Sequence, residues 1–252
     1  MHITATFKPA DVNTGYVLKR MDLEGQPTVA ALAENVVQTT RGTVIASRSN
    51  GDVRVGTIEH AMAALYAAGI DNCLIEVNAP EIPILDGSAI EIANHIDEVG
   101  VVEQDAEKEY YVVKQRIKVF DEQTGASLIV LPDDEFSIDS PILPNQFASL
   151  DNLRDFKKEI AASRTFVFVR EILPLVQHNL IKGGDLDNAI VIYDSPMKQE
   201  DLDKLADLMH VQHKHVDELG YLNNKPLVYN NEPARHKLLD VLGDLALIGR
   251  PL

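Results

Sequence analysis

Two short stretches carry residues whose types and spacing could do chemistry. In TIEHAMAALYAAG, residues 57–69, Glu59 and His60 stand side by side where a helix begins; in EPARHKLLDVLGDLALIG, residues 232–249, His236, Asp240 and Asp244 recur every four residues. An imidazole and a carboxylate one helical turn apart lie on the same side of a helix and can converge on one cation, and neutral imidazole nitrogen with carboxylate oxygen suits Zn2+. Spacing alone fits a modest surface ion pair equally well. A catalytic zinc needs three protein ligands and an open position, so a further ligand must come from elsewhere. His60 can supply it, and Glu59, aimed differently around its helix, can then accept a proton from a water that the metal activates. In isolation the same pair also reads as a carboxylate complementing the helix dipole beside a surface histidine. The stretch HVQHKH, residues 210–215, offers three histidines, but in a polar region without an evident rigid element.

The elements that must position these groups follow from periodicity. Ile58, Met62, Leu65 and Tyr66 mark one buried helical face, with Thr57 as N-cap and Gly69 as stop. Leu238, Leu242 and Leu245 mark the buried face of the last helix, with Pro233 at its first position and Gly249 near its end. Before residue 110 the pattern predicts strands in HITATFKP, GYVLKRMDL, GTVIAS and CLIEVNA, and a second helix in SAIEIANHIDEVG. Beyond the charged connector EQDAEKE the order recurs: strands in YYVVKQRIKVF, ASLIVLP and FSID, a helix within residues 150–179, the strand NAIVIYD and the closing helix. DNCLIEV at 71–77 and DNAIVIY at 187–193 support the repeat. The expectation is an α+β protein of two similar sheet-plus-helix domains, residues 1–106 carrying Glu59 and His60 and residues 107–252 carrying His236 and Asp240.

With 252 residues, 45% of them hydrophobic and 25% charged, the chain can bury a real core. A formal charge of −16 disfavours nucleic acid or an anionic membrane surface as the main partner. The single Cys73, set in CLIEV, excludes an internal disulfide framework and points to a reducing compartment, read as cytoplasm. No run approaches the ~20 apolar residues of a membrane span, and MHITATFKPADVNTG lacks the layout of a signal peptide. MHITATF alternates like a strand already in progress, which predicts a further strand or hairpin before it.

The stretches TIEHAMAAL, NAPEIPILDGSA, SRTFVFVREI, LIKGGDLDNAIVIYD and RHKLLDVLGDLALIG, in this order, resemble the zinc-dependent UDP-3-O-acyl-N-acetylglucosamine deacetylases of Gram-negative lipid A synthesis. NTGYVLKRMDLEGQP, ENVVQTTRGTVI and GDLALIGRP look most like the branch in which the deacetylase is fused to a 3-hydroxyacyl carrier-protein dehydratase. The resemblance implies Zn2+ held by His60, His236 and Asp240 at the junction of two α+β domains. It implies Glu59 as general base, Thr165 as a hydroxyl stabilising the oxyanion, Phe166 as an aromatic wall, Lys237 as a contact to the polar part of the substrate, and an acyl passage formed by an insert of the second domain. Asp244 matches an aspartate that orients a histidine, the proton donor to the leaving nitrogen, in a downstream Gly-His segment. No His follows His236 in this sequence, and FSIDSPILPNQF is several residues shorter than the family pattern. The resemblance therefore implies a C-terminally incomplete second domain. The alternative it leaves is a zinc- and substrate-binding domain without turnover.

Overall fold

The computed structural model describes residues 2–142, 146–172, 188–223 and 225–252. The protein is α+β, as the patterning predicts. Strands β1 (Ala5–Pro9), β2 (Tyr16–Arg20), β3 (Thr28–Ala30), β4 (Val36–Gln38), β5 (Val44–Ala46) and β6 (Arg54–Val55) precede helix α1 (Glu59–Ala67), followed by β7 (Cys73–Val77) and helix α2 (Ile90–Val99). β7 alternates: Cys73, Ile75 and Val77 are buried while Leu74 and Glu76 are partly exposed, the period-two signature of a strand with one face on a core. It lies inside a sheet of order β1-β7-β2-β3, antiparallel to β1 with Ala5 opposite Val77, and parallel to β2 with Tyr16 opposite Cys73. β4, β5 and β6 form a separate antiparallel sheet.

The second half contains the hairpins β8 (Ile117–Phe120) with β9 (Ser127–Val130) and β10 (Ile138–Ile142) with β11 (Gln146–Leu150). The short α3 (Phe156–Glu159), β12 (Phe166–Phe168), β13 (Ile190–Tyr193), α4 (Gln199–Met209), β14 (Gly220–Leu222) and α5 (Glu232–Ala246) follow. β13 is parallel to β12 and antiparallel to β14, so the two Asp-Asn strands each have one parallel and one antiparallel neighbour.

One apolar cluster joins the first sheet to α1, α2 and α5 through Leu18, Ile75, Met62, Leu65, Ile92, Leu238 and Leu242. A second joins β13 and β14 to α4 through Val191, Tyr193, Leu202, Leu205 and Leu222. α1 is buried continuously from His60 to Tyr66, so it needs packing partners on every side.

Several sequence expectations change. Thr57 has φ of +55° and precedes the cap; the capping residue is Ile58, without a side-chain hydrogen bond. Gly69, at φ +70°, ends α1 as expected, its N–H donating to the Tyr66 carbonyl. The helix expected within residues 150–179 is, among the described residues, a 3-10 turn, the single turn of α3 and a helical stretch at residues 169–172, with FVF between them as strand β12. Val-Phe alternation outweighs the helical reading there. YYVVKQRIKVF is strand only over Ile117–Phe120. α4 was not expected. Residues 173–187, which include the end of the 150–179 stretch, lie outside the described residues. Among the described residues no helix is long and apolar enough to cross a membrane.

Candidate metal centre

α1 and α5 touch where α5 has no side chain. A Cβ on Gly243 would stand 2.3 Å from the carbonyl oxygen of Glu59, so this approach is open only to glycine. The contact faces His60 towards the stripe on α5. His60 and His236 are 4% and 2% exposed, their rings edge to face with centroids 5.0 Å apart. Ligand atoms of His60, His236 and Asp240 all lie within 4.8 Å of one another, and no other such group of three occurs among the described residues.

The protonation pattern suits a cation. His236 Nδ1 is 2.9 Å from the Ser163 carbonyl. A carbonyl only accepts, so Nδ1 carries the hydrogen, and Nε2 faces Asp240 Oδ1 at 3.4 Å. A neutral His236 thus sets two lone pairs against each other, which a cation between them would satisfy. Burial, then the neighbouring His236, pushes His60 down to about 3, so its imidazole is neutral and its lone pair free at ordinary pH. Burial alone would raise the Asp240 carboxyl, but the charge of a protonated His236, with that of Lys237, outweighs it and holds the group below its usual value. Two imidazole nitrogens and one carboxylate are the donor set of a three-ligand zinc site, whose ligand atoms stand ~3.4 Å apart around a tetrahedral ion. The donor types and the 4.8 Å span of the cluster fit the metal.

Of the remaining expected residues, Glu59, Asp244, Lys237 and Phe166 neighbour the cluster. Glu59 Oε2 accepts from the Thr43 N–H at 3.0 Å. Burial raises the Glu59 carboxyl, with Asp240 and Asp244 adding to the rise and hydrogen bonds from main-chain N–H groups opposing it. Asp244, also raised by burial, accepts from the Thr43 hydroxyl at 3.2 Å. Lys237 Nζ lies 2.9 Å from Asp240 Oδ2, so Asp240 gives one oxygen to His236 and the other to Lys237. Phe166 stands edge-on to His236 at 6.3 Å and to Phe168 at 5.9 Å. Thr165 ties two segments: its N–H donates to the Gly87 carbonyl and its carbonyl accepts from Ile190, both at 2.7 Å. Gly87 is required there, at φ +85°, because a Cβ would fall 1.7 Å from the Asn188 carbonyl oxygen.

The histidines at 210–215 do not converge. His213 is held by Asp207 at 2.7 Å and Asp203 at 3.2 Å, His215 pairs with Asp217, and His210 ends α4 in the left-handed conformation. Sequence reasoning missed Thr43, Ser163, Arg164, Glu232 and Gly243. Glu232 alone had a local signal, continuing the four-residue stripe one turn before His236. The partners of the others are distant in sequence or belong to the main chain.

The family model for LpxC, UDP-3-O-acyl N-acetylglycosamine deacetylase, matches residues 1–223 and 215–252. The bifunctional enzymes LpxC/FabZ of Bacteroides thetaiotaomicron and Porphyromonas gingivalis are each 60% identical, over 100% and 99% of this chain and 55% of their own length. The UDP-3-O-acyl-N-acetylglucosamine deacetylase of Myxococcus xanthus is 39% identical over 99% of this chain and 73% of its own. The chain thus spans about half the length of the bifunctional relatives it matches. With nearly every residue matched, and the histidines and carboxylates of two distant motifs gathered at one place, the chain belongs to the LpxC family, the UDP-3-O-acyl N-acetylglycosamine deacetylases.

Proposed function

We propose that the protein is a cytoplasmic zinc-dependent hydrolase that removes acetate from UDP-3-O-(3-hydroxyacyl)-N-acetylglucosamine and leaves the free amine, a step of lipid A biosynthesis. The observation that carries this reading is the convergence of His60, His236 and Asp240 beside the Glu59 carboxylate. These three residues would hold the zinc. When bound it would supply Lewis-acid polarisation of the acetamide carbonyl and make a nearby water more acidic.

The chain's own groups account for the rest. Glu59, held by the Thr43 N–H and raised by burial, accepts the proton of the attacking water as that oxygen bonds to the acetyl carbon. The Thr165 hydroxyl donates to the oxyanion, whose collapse breaks the carbon–nitrogen bond. The nitrogen departs as an amine once protonated. The resemblance gives that donation to a histidine partnered by Asp244, whose partner among the described residues is the Thr43 hydroxyl. Phe166 forms an apolar wall beside the sugar, and Lys237, released from Asp240, meets the polar part of the substrate.

Two further readings belong to the same proposal. The chain divides between residues 106 and 107 into two units, supported by the second apolar cluster around β13 and α4 and by the matching neighbours of β7 and β13. A 3-hydroxyacyl carrier-protein dehydratase is fused to the deacetylase in the longer protein, supported by relatives named as bifunctional enzymes that match over 55% of their length.

The test is release of primary amine from the UDP-sugar by the longest natural form of the protein, stripped of metal and then reloaded with zinc. Amine should appear only after zinc is restored. No amine release at full zinc loading would overturn the proposal.

A further inference from the structure

Ser163 and Arg164 bind α5 at two successive turns through one peptide unit. Its carbonyl, from Ser163, accepts from His236 Nδ1 at 2.9 Å, and its N–H, from Arg164, donates to Glu232 Oε1 at 3.0 Å. Glu232 and His236 are four residues apart on the helix and are fully and almost fully buried. The Glu232 carboxylate is saturated: Oε1 also accepts from Arg164 Nε at 2.8 Å, and Oε2 from Arg164 Nη2 at 3.2 Å and the Val228 N–H at 2.7 Å. Arg164 Nη2 donates in addition to the Pro226 carbonyl at 2.8 Å.

Stability is a weak reason for such a pair, since well-packed apolar residues of similar volume serve a core about as well as a buried ion pair. An apolar pair lacks direction. A peptide unit is a rigid plane, so clamping its N–H edge fixes where its carbonyl points. We propose that the Arg164–Glu232 pair is a positioning device for His236, holding the Ser163 carbonyl so that the imidazole keeps its hydrogen on Nδ1 and turns Nε2 towards Asp240 and His60. This rests on the reading of His236 as a metal ligand. Neither member of the pair touches the metal or substrate; both act through the peptide and the ring.

The experiment compares the parent protein with Arg164→Met combined with Glu232→Leu, which leaves no unpaired buried charge, and with Glu232→Gln, whose remaining oxygen can still accept from Arg164. Nitrogen-15 NMR of labelled histidine reads the His236 tautomer in metal-free protein, and competition with a chromophoric chelator reads zinc affinity. The parent should hold a single Nδ1–H tautomer. The double variant should stay folded, mix tautomers, and bind zinc about 10-fold more weakly, the lower end for loss of an outer-shell partner. Glu232→Gln should keep the tautomer. A double variant with parental tautomer and zinc affinity would overturn the proposal, as would a parent protein in which His236 already exchanges between tautomers. A parent protein with one tautomer and no zinc uptake would support the positioning role while overturning the metal reading.

Discussion

Replacing Gly243 with alanine tests whether the approach of α1 to α5 builds the metal centre. The new Cβ would begin 2.3 Å from the Glu59 carbonyl oxygen, and 3.0 Å is the closest that real Cβ atoms come, so the helices must part by about 0.7 Å. The obstacle is backbone on both sides, with no flexible side chain to swing away. Overpacking of this kind costs about 1–3 kcal/mol. Alanine also returns about 1 kcal/mol of helix propensity relative to glycine. The net loss is therefore about 0–2 kcal/mol, or about 0–8 °C in Tm for a chain of this size. Zinc binding has no such compensation. His60 moves with α1 while His236 and Asp240 stay on α5, and a ligand set must be held within about 0.5 Å of its working geometry. Zinc affinity should fall about 10-fold or more, against a small change in thermal stability. Chelator competition and a melting curve on the same preparation measure both. Unchanged zinc affinity in Gly243→Ala would refute the argument that this contact positions the ligands.

The ligands and the base should separate cleanly: His236→Ala should lose most of the zinc and His213→Ala none, whereas Glu59→Ala should keep its zinc and lose roughly 10²–10⁴ in turnover, and equal loss of metal and activity in Glu59→Ala would make Glu59 a ligand. The hydrogen bond to Asp207, with the charges of Asp207 and Asp203, raises the exposed His213 imidazole above its ordinary value. A raised group adds stability below its unfolded pKa and loses it as pH rises through the folded one, so the gap in Tm between the parent and His213→Ala should close as pH rises above the ordinary histidine value of about 6.5. A gap that widens as pH rises would contradict the pairing. Burial pushes the Cys73 thiol up to about 11, leaving roughly one thiolate in 10³ at pH 8. A thiol reagent should therefore label urea-unfolded protein fully while native protein stays unlabelled; prompt native labelling would refute the burial.

The legible parts of the site were those written within one helix. The His236, Asp240 and Asp244 stripe and the Glu59-His60 pair follow from residues one turn apart or adjacent. What joins them does not: Thr43 meets Asp244 across 201 residues, and Arg164 meets Glu232 across 68. No periodicity encodes such pairings, and the groups Thr43 and Ser163 lend to Glu59 and His236 are main-chain atoms, which every sequence contains. In the fold, the alternation of Cys73, Ile75 and Val77 gave β7 away. α4 escaped because its buried residues Leu202, Leu205, Ala206 and Met209 sit among acids and lysine that hide the helical stripe. Thr57 misled because a hydroxyl beside a helical run resembles a cap, while its left-handed backbone puts the cap one residue later.

The burial of α1 on every side has a consequence during synthesis. A ribosome adds ~5–20 residues per second, so α5 emerges roughly 10–40 s after α1. Until then the face of α1 that α5 will cover, with His60 on it, has no partner, and the nascent chain must carry an apolar helix and half a constellation in the open. Early residues of this protein wait for late ones. Its vulnerability to misassociation should peak in that interval, when a chaperone that shelters a short apolar helix would matter most.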